Sequence, residues 1–513
     1  MTAPVPLLPP PAERLTAWGR LRDRMLRDSS VLRWFAPLFV TALAAVLRLA
    51  NLGHPHELMF DETYYVKDAW SLWALGYEGT WGDGANDAFL RGDTSTLGGI
   101  GSFVVHPPLG KWIIALGMGV FGPGSSEAWR LTTALLGTAT VLVVYLVAHA
   151  LTRSIVAATV AGGLLAIDGL SIVMSRIAML DGALTFFILL GFLFVLYDRT
   201  RSMRDAEYTT PDDREKLWGR VFWRRPWILA AGLALGAATA VKWSGLYALA
   251  GLGIYLVISD ALARRRAGIV FWPMDAAARQ GAVSFLLLVP VAFVTYLITW
   301  TGWLVTAGGY DRDSDANPLI ALWNYHQSIY GFHISLGSGH PYASPAWQWP
   351  LLMRPTAVWV DDDASCGTDH CISVISSIPN PLIWYAGVAA ALYLLYRVVR
   401  GLIQRQPEPW QLAMPLVGLA VTYVPWLLIP GRTIFQFYTV AVMPFLVLAL
   451  VFALRAIAGR RSDRLERRQS GERTVIIFLT AAVLVSAFFY PVWTGMNVPY
   501  EFWLVHNWLP TWV

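Results

Sequence analysis

The sequence predicts an all-α polytopic membrane protein, and three observations point there. Of its 513 residues, 56% are hydrophobic and only 14% charged, against roughly 45–50% and 25% in an average soluble chain. Apolar runs near the roughly 20 residues that a helix needs to cross a hydrocarbon core recur along the whole chain. Basic residues collect in alternate connections between those runs.

Read between charged or Gly/Pro punctuation, the chain contains eleven candidate spans, centred near 32–50, 127–149, 154–170, 178–197, 226–241, 244–262, 281–303, 380–397, 411–429, 433–454 and 474–492. The third to sixth are short enough that pairs of them could be re-entrant. An odd count puts the two termini on opposite sides. Residues 1–33 carry six Arg and a Pro run with no apolar h-region and no small-residue cleavage site, so they read as a cytoplasmic tail. With that end inside, the cytoplasmic segments are 1–33, 150–155, 198–225, 260–280, 397–410 and 455–473. They hold 29 of the 39 Lys+Arg and 15 of the 34 Asp+Glu, a net of +14, which leaves −9 for the rest of the chain. This is the bias expected of cytoplasmic loops. The net charge of +5 and pI near 9.1 therefore follow from membrane orientation, and no nucleic-acid partner is implied.

Two outer loops, 51–126 and 304–379, are longer than a minimal bundle needs, and long loops in compact proteins are usually functional. The first holds two expected interfacial helices, Glu62 to Gly76 and Pro108 to Phe121, around a Gly/Asp-rich middle from Glu78 to Gly101 expected to be mobile. The second loop and the tail from Pro491 are rich in Trp and Tyr, the residues that settle at membrane interfaces, and are expected to lie along the outer surface. The membrane domain is thus expected over 34–492, with an aromatic extracytoplasmic tail over 493–513. The two cysteines, Cys366 and Cys371, share the second loop. An oxidising compartment favours their pairing as a disulfide. They are too few for a metal site, and His370 and Asp369 nearby do not change that expectation.

The segment most informative about chemistry is Phe60-Asp61-Glu62-Thr63-Tyr64-Tyr65, at the outer end of the first span. Adjacent carboxylates leave a helix start in different directions, so one can serve a reaction while the other is held by its neighbours. Asp61 is the better candidate base, although a helix N-cap with Glu62 in the first turn would account for both residues structurally. His106-Pro107-Pro108-Leu109-Gly110-Lys111 is a stiff turn followed by a helix start that displays a cation. Arg130, Arg176, Asp181 and Lys242 lie at the outer ends of later spans, where snorkelling is the alternative to function. Together the set puts carboxylates and cations on one face, as transfer from a lipid phosphate requires: a base for the acceptor proton and cations for the leaving phosphate. No P-loop or dinucleotide fingerprint occurs.

In these segments the sequence resembles the protein O-mannosyltransferase family, within the GT-C type of multi-span glycosyltransferases. The resemblance rests on FDETYYVKDAW (60 to 70), HPPLGKW (106 to 112), EAWRLTTALLG (127 to 137), SRIAMLDGALTFF (175 to 187), AVKWSGLY (240 to 247) and PAWQWPLLMRP (345 to 355), which occur in the family's order. It implies transfer of mannose from polyprenyl-phosphate-mannose to Ser or Thr of secreted or translocating proteins. Inversion would convert a β-linked donor to α-mannose at the outer face of the cell membrane. It implies Asp61 as base with Glu62 beside it, Arg130 near the donor phosphate, and Arg176 and Lys242 in the stretches around that site; His106, Lys111 and Asp181 of the same polar set are further candidates for donor binding. No cofactor and no metal is clearly implied by it, and the metal requirement stays open. The 76 residues of the second loop cannot contain the inserted domain of eukaryotic members, and Gln436 and Phe437 stand where those tend to show paired His. Both departures imply a bacterial, actinobacterial-type member. The nearest rival is a transferase of the same fold that adds aminoarabinose or arabinose to a glycolipid. A secondary transporter would place its polar groups at the midplane of broken helices, whereas here they cluster at one surface.

Overall fold

The computed structural model describes residues 29–202, 216–337, 339–460 and 462–512. The basic tail expected over 1–33 lies outside the described residues up to position 28, and so does 203–215 of the 198–225 connection.

Helices dominate. The first among the described residues is α1 (Ser29–Leu49), followed in the first large loop by α2 (Glu62–Leu75) and α3 (Leu109–Phe121). Next come α4 (Ser126–Thr152), α5 (Ile155–Ala166), α6 (Gly169–Arg176), α7 (Leu180–Tyr197), α8 (Pro226–Val241), α9 (Gly245–Arg266) and α10 (Gly281–Thr299). The second large loop carries α11 (Pro318–Ser335), and the chain ends with α12 (Pro381–Ile403), α13 (Trp410–Leu427), α14 (Met443–Ala458) and α15 (Leu465–Thr494). Among the described residues, eight helices are long and apolar enough to cross a membrane, or nine if α5 and α6 form one span. The expected spans at 226–241 and 433–454 appear as the shorter apolar helices α8 and α14.

The expected span at 154–170 is broken. Between α5 and α6 the axis bends by 60°, and the cause is local chemistry. The Asp168 side chain accepts the Ser171 N–H and caps a new helix. Its other oxygen accepts the Asn380 N–H, while the Asn380 side chain caps α12 and donates to the Ala482 carbonyl and Ser486 Oγ. One buried carboxylate thus ties α6, α12 and α15 together.

Small residues let helices approach in the middle of the bundle. A Cβ at Gly232 would stand 2.7 Å from the Leu288 carbonyl oxygen, and one at Gly236 would stand 2.5 Å from that of Ala292, so α8 lies directly on α10. The loop helix α3 reaches α4 in the same way, because a Cβ at Gly117 would run into the Ala128 carbonyl oxygen.

Both large loops are built. The stretch from Glu78 to Gly101, expected to be mobile, instead forms an antiparallel ribbon of β1 (Gly79–Trp81) and β2 (Leu97–Gly101). The Tyr77 hydroxyl donates to the Gly99 carbonyl, and Gly101 packs on the backbone of 308–310, which holds this glycine-rich strand in place. In the second loop, β3 (Ala357–Asp361) and β4 (Cys371–Ser376) form a hairpin, with Cys366 and Cys371 joined by a disulfide in its turn. The tail adds β5 (Val498–Pro499) to the same sheet in the order β3-β4-β5. Because α15 runs on to Thr494, this tail starts later than expected.

Close packing at Gly117 predicts that Gly117→Ala lowers stability by about 1–3 kcal/mol, the usual cost of overpacking. Thermal unfolding in detergent should report a clear drop in midpoint.

Candidate active site

The two adjacent carboxylates part company at the start of α2. Phe60 turns the chain with φ +49, and Glu62 enters the protein, where it is fully buried. Its Oε1 accepts the Arg130 Nε–H at 2.9 Å and the Ala178 N–H at 2.7 Å; its Oε2 accepts Arg130 Nη2 at 2.8 Å and the Met59 N–H at 3.0 Å. Asp61 occupies the N-cap position, yet its carboxylate makes no capping bond, so the structural alternative for this residue lacks its defining contact. Its Oδ2 lies 3.5 Å from the Tyr65 hydroxyl. Asp61 is half-buried, and burial pushes its carboxyl up from the usual range, with the Lys242 charge pulling down and Asp181 pushing up.

Beside Asp61 opens a cavity of about 630 Å³. His106 enters it from the turn before α3, Asp181 from the first turn of α7, and Lys242 with Trp243 from the end of α8. Tyr330 and His333 come from α11, Trp426 from α13, and Arg432 with Tyr438 from the segment between α13 and α14. Lys242 Nζ donates to both oxygens of Asp181, at 3.0 and 2.8 Å, and lies 4.8 Å from the centre of the Tyr438 ring. Arg432 is different. Its Nη2 donates to His333 Nδ1 at 3.1 Å, its guanidinium lies 5.9 Å from the Trp426 ring centre, and its buried Nε has no protein partner. The His106 Nδ1 is likewise buried and unpartnered. Burial first, and the nearby Lys242 charge second, hold the His106 imidazole well below its ordinary pKa, so it is neutral at pH 7. His333 is pushed down to about 4 by burial and by Arg432. With both imidazoles neutral, the charged lining consists of two cations, Lys242 and Arg432, and one carboxylate, Asp181.

Among the residues nominated from sequence, His106, Asp181 and Lys242 line this cavity and Asp61 stands beside it. The other four are engaged elsewhere. Arg130 is fully buried, and every N–H of its guanidinium is taken, by Glu62 and by the carbonyls of Leu52, Pro55 and Glu57. All of its N–H donors are thus engaged within the protein. Arg176 donates to the carbonyls of Arg48, Ala50 and Asn51, satisfying acceptors at the end of α1. Lys111 pairs with Glu78 and donates to the His106 carbonyl. Glu62 is committed to Arg130. Among the described residues, no three His, Cys, Asp or Glu side chains converge in a way that would hold a metal ion.

Sequence reasoning missed Arg432 and His333. A signal for Arg432 existed, since it is the only Lys or Arg between Arg405 and Arg455. None marked His333, one of several polar residues in an aromatic loop.

The family model described as "Dolichyl-phosphate-mannose-protein mannosyltransferase" matches residues 94–305, and that of the "C-terminal four TMM region of protein-O-mannosyltransferase" matches 319–512. A polyprenol-phosphate-mannose–protein mannosyltransferase of Mycolicibacterium smegmatis is 31% identical over 537 residues, spanning 100% of this chain and 97% of that protein. The chain belongs to the protein O-mannosyltransferase family. A Corynebacterium glutamicum protein of the same name is 29% identical over 98% of this chain and 96% of its own length. The fold agrees with a chain of the Saccharomyces cerevisiae protein O-mannosyltransferase Pmt1-Pmt2 complex. The TM-score is 0.73 at 16% identity, covering 93% of this chain and 92% of that one. The structure thus has the GT-C architecture of this O-mannosyltransferase, with Glu62 of the first loop locked to Arg130 of α4 and Asp61 left beside the cavity.

The Glu62–Arg130 pair yields a prediction. Removing one partner of a buried ion pair typically costs about 3–5 kcal/mol, so Arg130→Ala should lower the melting midpoint in detergent strongly while the protein that remains folded keeps the parent KM for donor. A normal melt with a raised donor KM would instead return Arg130 to the donor site.

Proposed function

We propose that this protein transfers mannose from polyprenyl-phosphate-mannose to Ser or Thr hydroxyls of secreted or translocating proteins, with inversion at the anomeric carbon. The observation that carries this reading is the juxtaposition of Asp61, whose carboxylate makes no capping bond, with a cavity holding Arg432, a cation that no carboxylate neutralises among the described residues. Family membership and the relatives' names support the donor and the protein acceptor.

In the proposed step the acceptor hydroxyl gives its proton to Asp61 as its oxygen attacks the anomeric carbon. The bond from that carbon to the phosphate oxygen breaks, and the bonding electrons leave with the phosphate. Arg432 and Lys242 stabilise the charge that gathers there. Lys242 is held in place by Asp181 and by the face of Tyr438. The neutral His106, able to donate from one nitrogen and accept at the other, suits a sugar hydroxyl. The division of charge along the sequence supports a cytoplasmic N-terminus and an extracytoplasmic site and C-terminus.

Transfer from labelled polyprenyl-phosphate-mannose to a Thr-rich peptide in proteoliposomes tests the activity; transfer only to a glycolipid would contradict it. Asp61→Asn keeps the shape but cannot accept the proton, so kcat should fall by about 10²–10⁴ without loss of melting temperature. Because the ionised carboxylate is the active form and its pKa is raised, kcat of the parent should decline with falling pH above the usual carboxylate range. Arg432→Ala should raise the donor KM by about 10-fold or more, the effect of losing hydrogen bonds to a charged group. An unchanged KM would remove Arg432 from the donor site.

A further inference from the structure

Arg432 is the cation of the cavity with no carboxylate to hold it among the described residues, so another contact must keep its long side chain in place. That contact is His333, on α11 of the second large loop. Its Nε2 lies 2.9 Å from the Val105 carbonyl oxygen and its Nδ1 lies 3.1 Å from Arg432 Nη2. A carbonyl can only accept and a guanidinium can only donate. The two contacts together therefore fix one tautomer, with the proton on Nε2 and the lone pair on Nδ1 turned to Arg432. The ring is clamped between His106, whose centroid is 5.5 Å away, and Trp243, at 5.7 Å. The backbone that His333 bonds is itself anchored, since the Tyr325 hydroxyl, two turns earlier on α11, accepts the Val104 N–H at 3.0 Å and lies 2.9 Å from the Val104 carbonyl oxygen.

We infer that His333 is a positioning residue for mannosyl transfer: as a neutral imidazole, it ties the turn before His106 to Arg432 and aims that guanidinium at the donor phosphate. This rests on the proposed role of Arg432. It goes further in making α11 part of the donor site although His333 itself gives the phosphate no donor. The tautomer has a consequence for pH. Protonation would place a hydrogen on Nδ1 facing Arg432, which breaks the bond and sets two cations together. The charged and titratable groups acting on the ring are Arg432, Lys242 and His106.

The experiment is a set of donor KM and kcat measurements on the full-length protein in proteoliposomes, with polyprenyl-phosphate-mannose and a Thr-rich peptide. His333→Leu should raise the donor KM on the order of 10-fold, as expected for one hydrogen bond to a charged group, and lower kcat as well, because a misplaced Arg432 also stabilises the departing phosphate less. His333→Asn should restore most of the affinity, because its Oδ1 can stand in for Nδ1. Adding His333→Leu to Arg432→Ala should weaken donor use no further, since the histidine acts only through the arginine. In the parent the donor KM should rise as pH falls through about 4, and in His333→Asn, which does not titrate, that rise should be absent. The donor phosphodiester keeps its charge throughout. If Arg432→Ala raises KM while His333→Leu does not, this inference fails and the phosphate reading stands; if Arg432→Ala has no effect, the underlying reading fails. Tighter donor binding at acid pH would mean that protonated His333 grips the phosphate directly, which overturns the positioning role. Should His333→Leu not fold, the parent and His333→Asn pH profiles decide the matter alone.

Discussion

The Glu62–Arg130 ion pair is the interaction on which the site depends. Both side chains are fully buried, and two charges taken from water repay that cost only when every donor and acceptor finds a partner. Here they do: the carboxylate takes backbone N–H groups from Met59 and Ala178, and the guanidinium takes three carbonyls between Leu52 and Glu57. The contacts draw the exit from α1, the start of α2, the N-terminal part of α4 and the segment before α7 to one point. Asp61, one residue before Glu62, is presented beside the cavity as a result. Two adjacent carboxylates thus have opposite work, one setting the backbone and the other left with its oxygens unbonded by any cap.

A similar logic sorts the cations. Arg48, Arg130 and Arg176 are all buried near the loop end of the bundle, and each donates to backbone carbonyls at chain breaks or helix ends. A planar guanidinium can bridge several carbonyls at once, so it can replace the water that such groups lose on burial. Lys242 and Arg432 sit instead in the cavity wall with room around them. Depth in the membrane alone therefore does not identify a ligand-binding cation. What matters is whether its donors are already engaged.

Much of the architecture was legible because apolar period and length are local properties. Each of the eleven apolar runs contains a helix, and both interfacial helices of the first loop appear within a residue of their expected starts, at Glu62 and Leu109. The break at Asp168 was not legible, because the partners that make a buried carboxylate tolerable there, Asn380 and Ser171, include one more than two hundred residues away. The Gly-rich strand β2 was read as mobile because its order comes from contacts with 308–310 that no local pattern encodes. The site divides in the same way. His106, Asp181 and Lys242 stood out as polar residues at the ends of apolar runs. The burial of Arg130 and the convergence of His333 on Arg432 depend on how distant segments meet, and the sequence around each carries no trace of it.

On the proposed reading, Arg432 and Lys242 hold the donor phosphate in the cavity while Arg130 serves the fold. A structure of the protein with polyprenyl-phosphate-mannose bound tests it most directly. Phosphate oxygens should lie within hydrogen-bond distance of Arg432, with the anomeric carbon turned toward Asp61. Phosphate density against Arg130, with its bonds to Glu62 broken, would contradict it.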